Sequence, residues 1–221
     1  MLAVALISPA AFPDTILSVS GPNYGPGALG DAFFQVLGSA WSTSASYADV
    51  TISVNLSGSR SSPPGTAFLM TRIGPGTTTT SEIARTAFRA EGPDASITMF
   101  RGLSMPAGTY YLVLSSSSTA SDLGWWSAFN PLVETAPGTQ RLGDVVARLN
   151  RAIGPADLMY PPASVFDGPS PIQSFPLKLN VTGSEVPEPT IGTLVPIGIL
   201  GILGLRRILR KSAASTAGFR Q

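Results

Sequence analysis

Between residues 51 and 56 the chain alternates strictly. Thr51, Ser53 and Asn55 are polar, while Ile52, Val54 and Leu56 are apolar. A period of two marks a strand with one buried face, so Ile52, Val54 and Leu56 are expected core positions. Shorter runs of the same character recur at residues 16–19, 32–36, 67–73, 96–100 and 109–114. Turn-forming clusters separate them: Pro63-Pro64-Gly65, Gly74-Pro75-Gly76, Gly92-Pro93 and Pro106-Ala107-Gly108. The pattern predicts a mainly β domain over residues 16–182, an antiparallel β-sandwich of jelly-roll-like kind. Residues 131–171 are Pro-rich and read as a long, loose connection. One short helix is predicted within it, from Leu142 to Ile153. Leu142, Val145, Val146, Leu149 and Ile153 would share a helical face, with Asp144, Arg148 and Arg151 off it. Alternation returns at residues 175–181, the expected last strand, and Thr182 to Glu185 reads as a polar linker.

The two ends carry different patterns. Leu2 to Ile7 is a short apolar run, and Ser8-Pro9-Ala10 follows it with small-x-small spacing. This is the shape of a secretory signal with its cleavage site. The basic start of such a signal is missing, since no Lys or Arg precedes Arg60. The expectation is a truncated signal peptide over residues 1–15, with translation beginning upstream of Met1. At the other end Val186-Pro187-Glu188-Pro189 leads into an uncharged segment. It carries Ile191, Leu194, Val195, Ile197, Ile199, Leu200, Ile202, Leu203 and Leu205. Arg206, Arg207, Arg210 and Lys211 close it, and residues 212–221 form a short tail.

A helix from Ile191 to Leu205 covers roughly 22 Å, and one continued to Leu209 about 28 Å. The second figure approaches the roughly 30 Å hydrocarbon core of a bilayer, with Arg206 and Arg207 snorkelling to the headgroups. Residues 190–211 are therefore expected to be one transmembrane helix with its basic cluster. Cations beside a span mark the cytoplasmic side, so the body should lie outside the inner membrane. Pro189 suits a helix start, whereas Pro196 should kink the span.

Composition narrows the chemistry. Hydrophobic residues are 43 % of the chain, enough for a core, but charged residues are 12 %, about half the usual share. There is no Cys and no His, which removes disulfides, thiolate nucleophiles, imidazole triads and nearly all zinc sites. Of the 14 basic residues, five lie at or after position 206, and all 13 acids precede them. The body is thus mildly acidic and a poor nucleic-acid partner.

No motif assigns a cofactor, a metal or a catalytic group. Asp31, Asp49, Glu82, Glu91, Asp94 and Asp122 all fall beside turns, so an envelope glycoside hydrolase with a carboxylate pair is only a distant alternative. Asn55-Leu56-Ser57 and Asn180-Val181-Thr182 match N-glycosylation patterns and are read as chance. Trp41, Trp125, Trp126, Tyr110 and Tyr111 are the side chains suited to stacking on a sugar ring. Trp125 and Trp126 would face opposite sides of a strand. That makes one of them a candidate carbohydrate contact and a carbohydrate-binding module of the envelope the main alternative.

The combination at residues 186–211 resembles the PEP-CTERM sorting domain of Gram-negative bacteria that make exopolysaccharide. The resemblance rests on Pro187-Glu188-Pro189, the short glycine-rich span and the arginine cluster, in that order. It covers about 25 residues; the ten residues after Lys211 exceed the usual tail. It implies recognition by exosortase, a membrane-embedded cysteine protease or transpeptidase, with processing near the Pro-Glu-Pro. The rhythm of residues 30–130, ending in Gly124-Trp125-Trp126, is similar to β-sandwich domains of surface proteins bearing such anchors. Together these imply an exported, non-enzymatic surface or exopolysaccharide-associated protein. Its expected partners are exosortase, inner-membrane lipid and exopolysaccharide.

Overall fold

The alternation at residues 51–56 folds as the pleat requires, and Ile52, Val54 and Leu56 are 0–1 % exposed. The computed structural model describes residues 13–30, 35–116, 122–148, 160–170 and 176–187. In chain order its strands are β1 (Asp14–Ser20), β2 (Asn23–Ala28), β3 (Gln35–Thr43), β4 (Tyr47–Gly58), β5 (Gly65–Met70), β6 (Glu82–Phe88) and β7 (Gly92–Met105). There follow β8 (Gly108–Ser116), β9 (Gly124–Ala128), β10 (Leu132–Thr135), β11 (Thr139–Arg148), β12 (Asp167–Ser170) and β13 (Leu179–Glu185). They form two antiparallel sheets packed as a sandwich. The first runs β10-β1-β13-β4-β9-β2, with β7 also paired to β4; the second runs β12-β11-β3-β8-β5-β6. Contacts divide the chain at Val186, and residues up to that point form one compact unit.

Both sheets turn large apolar side chains inward. Ile16, Leu17, Ile52, Leu56 and Trp125 come from the first sheet, Trp41, Leu69 and Leu112 from the second, and all are fully buried. Each such Leu or Ile contributes roughly 1.5–3 kcal/mol of hydrophobic stabilisation. The second sheet also has a buried outer cluster of Val36, Phe68, Met70, Val113 and Ala147. Tyr160 and Phe166 pack on it from a segment that begins with a 3-10 turn at Pro161–Ala163.

That outer cover explains the main departure from the expected elements. The predicted helix does not form: residues 142–148 belong to β11, and residues 149–153 lie outside the described ones. Asp144 and Ala147 face opposite sides of the sheet and both are buried, so polar positions never mark a wet face. A bulge between Arg141 and Gly143 shifts the register, and Gly143 takes φ +127° there, a backbone that glycine alone adopts freely. The result is a spacing that mimics a helical stripe. Nor do the described residues of 131–171 form a loose connection, since β10, β11 and β12 lie among them. The linker expected at Thr182 to Glu185 is the second half of β13, paired with β4 from Tyr47 to Thr51. At the other end β1 begins at Asp14, so Asp14 and Thr15 belong to the sandwich; residues 1–12 of the expected signal lie outside the described ones.

Candidate functional site

Burial sorts the five aromatic candidates. Trp41 is fully enclosed and stacks on buried Tyr110, ring centres 5.9 Å apart. Trp125 is also fully enclosed, and its indole N–H donates to the Lys178 carbonyl at 2.8 Å. The expectation of Trp125 as a sugar contact is therefore corrected: it is a core residue with no surface to offer. Tyr111 packs against the outer cluster of the second sheet. Trp126 alone of the five lies on the outer face of the first sheet, half-buried, as the pleat dictates for the neighbour of Trp125.

Around Trp126 the outer face gathers polar side chains from three other strands and one approach segment. The Trp126 N–H donates to the Pro93 carbonyl at 2.6 Å, which fixes the indole beside Asp94 at the start of β7. The Asp94 carboxylate accepts from the Asn23 amide at 2.8 Å and the Asn55 amide at 2.9 Å, one on each oxygen. The Lys178 ammonium donates to the Asn23 side-chain carbonyl at 2.6 Å. Amide donors from Asn55 and Asn23 hold the Asp94 carboxyl below the usual carboxylate range, and the Lys178 charge adds to this. Asp94 is thus ionised at neutral pH. Its contribution to stability is present above the ordinary carboxylate range and is lost as pH falls through the lowered folded value.

Asp94 looks like an ordinary turn acid in the sequence, and Asn55 like part of a chance glycosylation pattern. The signal that places them is alternation itself. Asn55 is the outward position between Val54 and Leu56, and Lys178 the outward position between Leu177 and Leu179. What sequence spacing does not give is the return of β7 beside β4, which sets Ser96 opposite Asn55 and brings Asp94 near it.

Two other clusters serve the fold. Inside the sandwich Arg141 and Asp144 lie 2.7 Å apart with side chains about 10 % and 3 % exposed. The guanidinium N–H is not well directed at the near oxygen, which leaves that contact electrostatic rather than a good hydrogen bond. The other Asp144 oxygen accepts from the Leu177 N–H at 2.8 Å, tying β11 to the opposite sheet. On the outer face of the second sheet, Arg85 pairs with Glu82 at 2.7 Å and lies 5.0 Å from the Phe68 ring centre. The Tyr160 hydroxyl donates to Glu82 at 3.0 Å. Among the described residues no group of three His, Cys, Asp or Glu side chains gathers to hold a metal.

Burial first, then the Glu82 hydrogen bond, pushes the Tyr160 phenol up to about 12. Folding therefore favours the protonated phenol. That contribution is whole below the ordinary tyrosine range near 10 and is lost as pH climbs through the raised value. A phenolate absorbance titration is expected to show a late step near pH 12 that Tyr160→Phe removes. An unchanged titration curve in that variant would place the late step elsewhere.

At the end of β13 the Val186 N–H donates to the Ser46 carbonyl at 2.8 Å, and Pro187 is exposed. Glu188, Pro189, the apolar span from Ile191 to Leu205 and the cluster Arg206, Arg207, Arg210 and Lys211 lie outside the described residues. Among the described residues no helix is long and apolar enough to cross a membrane. No protein-family model matches the chain, and no match is found among curated proteins or solved structures.

Proposed function

We propose that this is an exported bacterial surface or exopolysaccharide-associated structural protein. Its non-enzymatic β-sandwich is delivered by a C-terminal tail that exosortase sorts and processes. The observation that carries the reading is the order of residues 186–211. Pro187-Glu188-Pro189, an uncharged glycine-rich span and four cations follow directly on the last strand of the sandwich. The flanking prolines lack N–H donors and favour extended backbone, so the segment is readily presented to an enzyme. Glu188 supplies one charge at the membrane surface. The span is short, its glycines should keep it thin and Pro196 should kink it, which suits a temporary anchor. The four cations orient the span with the body outside the inner membrane.

Intact-mass measurement of the protein from its native host tests this. The expected result is a mature chain that has lost the apolar span, and full-length protein accumulating in the inner membrane for Glu188→Ala. Under a plain-anchor reading the same substitution changes nothing, because membrane affinity resides in residues 191–205. Wild-type chain that keeps residues 190–221 at steady state beside an active exosortase overturns the proposal.

A second reading, that the body also binds envelope carbohydrate, is favoured by one observation. Trp126 is a part-exposed aromatic fixed beside an ionised carboxylate and two amides on the outer face of the first sheet.

A further inference from the structure

Resting on that second reading, we propose that the face built by Trp126, Asp94, Asn55, Asn23 and Lys178 is a saccharide site selective for neutral sugars over uronic-acid and other anionic polysaccharides. Three features carry the proposal. The first is the aromatic. The N–H edge of Trp126 is occupied by the Pro93 carbonyl, so the ring faces are what the indole has left to present. A ring face packs on the C–H face of a pyranose, which is apolar and slightly positive, as the quadrupole of an aromatic prefers.

The second is the match of donors and acceptors. Each Asp94 oxygen accepts one amide bond, while a carboxylate oxygen has room for two. Each asparagine amide gives one N–H to Asp94, and an amide nitrogen carries two. The site thus retains acceptors and donors side by side, which is what a vicinal diol needs, since each hydroxyl both donates and accepts. The internal hydrogen bonds also hold these groups in place before a ligand arrives, which lowers the ordering cost of binding.

The third is the charge. Lys178, the cation of this cluster, already donates to Asn23 and is coupled electrostatically to Asp94. The cluster, with one cation and one carboxylate, therefore carries no net positive charge to draw an acidic sugar, and the carboxylate sits at its centre. A uronate placed there meets like charge, and a neutral hydroxyl pair meets a charged acceptor worth more than a neutral one.

The test is calorimetric titration of the full-length chain in a sugar-free zwitterionic detergent. The probes are neutral gluco-, manno- and galacto-hexaoses and a hexauronate. The expected result is binding of at least one neutral hexaose and at least tenfold weaker binding of the hexauronate. Trp126→Ala and Asp94→Ala are each expected to weaken the neutral hexaose roughly tenfold or more, the size of losing a charged hydrogen bond or a stacked ring. Asp94 is exposed and Trp126 half-buried, so thermal melting of each variant checks that the fold is kept, and Ser53→Ala on the same face serves as a matched control. Binding that survives both variants overturns this site while leaving the carbohydrate reading in place. Preference for the hexauronate overturns the charge argument. No heat from any probe with a folded wild-type chain overturns the site and the carbohydrate reading together. Tail processing is read separately by mass and is untouched by any of these outcomes.

Discussion

Arg141→Met, with Asp144 left in place, is expected to cost about 3–5 kcal/mol of folding stability, the size seen when one partner of a buried ion pair is removed. Asp144 is 2 % exposed and cannot turn to water without leaving the inner face of β11. Losing Arg141 strands a carboxylate among apolar side chains and weakens the tie to the Leu177 N–H. The pH dependence identifies the cause. Burial, opposed by the Arg141 charge, already pushes the Asp144 carboxyl above its ordinary range. A raised value means the folded state holds the proton more readily than the unfolded chain. The group's contribution is whole below the ordinary value near 3.9 and is lost as pH rises through the folded one. Without Arg141 the upward shift grows, so the variant should recover part of its loss on acidification. Urea unfolding at neutral and mildly acidic pH reads this directly. The double variant Arg141→Met with Asp144→Leu should recover much of this loss, since an apolar pair often replaces a buried ion pair, and should keep a cost of about 1–3 kcal/mol for the Leu177 N–H left without its acceptor. A large, pH-independent loss in the single variant would show that Arg141 acts by packing its stem alone.

The same pair shows where sequence reading stops. Arg141 and Asp144 look like a polar edge in a stretch of helical spacing. Only the bulge before Gly143 turns both side chains into the sandwich. Strands were legible where one face is enclosed and the other wet, as in β4, where every second residue from Val50 to Leu56 is buried. They were illegible at the ends of the two sheets, where β2, β6, β10 and β12 sit. An end strand bonds on one side only, so it accepts residues that would break an inner strand. Thus Asn23–Ala28 carries two glycines and a proline and reads as a turn cluster. All four residues of Leu132–Thr135 are exposed, Leu132 and Val133 included, so no inward row announces a strand. The candidate site divides in the same way. That Trp125 and Trp126 take opposite faces follows from the pleat. Which face is outside, and that Asp94 and Asn23 meet there across 71 positions of sequence, depends on how distant strands pair.

Val54→Asp is expected to unfold the sandwich outright. Val54 is 1 % exposed and sits in β4 between Leu179 of β13 and Ile97 of β7. A carboxylate there has apolar neighbours in register on both sides, and no described cation faces the position. Burying an unpaired charge costs several kcal/mol or more, even when the group escapes by binding a proton. Domains of this size hold about 5–15 kcal/mol in total, and here no disulfide supplements the packing, since the chain has no Cys. The loss is therefore comparable with the whole stability. Ser53→Asp is the matched control. Ser53 is the adjacent residue on the same strand, points to the opposite face and shares a hydrogen bond with the Thr98 hydroxyl at 3.1 Å. A carboxylate at that position stays hydrated and accepts from Thr98, so the change should stay within about 1 kcal/mol. Circular dichroism and thermal melting of the two variants separate the cases. A cooperative transition near the wild-type temperature in Val54→Asp would mean that the inner face of β4 is not the centre of the core. Equal losses in both variants would mean that added negative charge, rather than burial, is what the domain cannot accept.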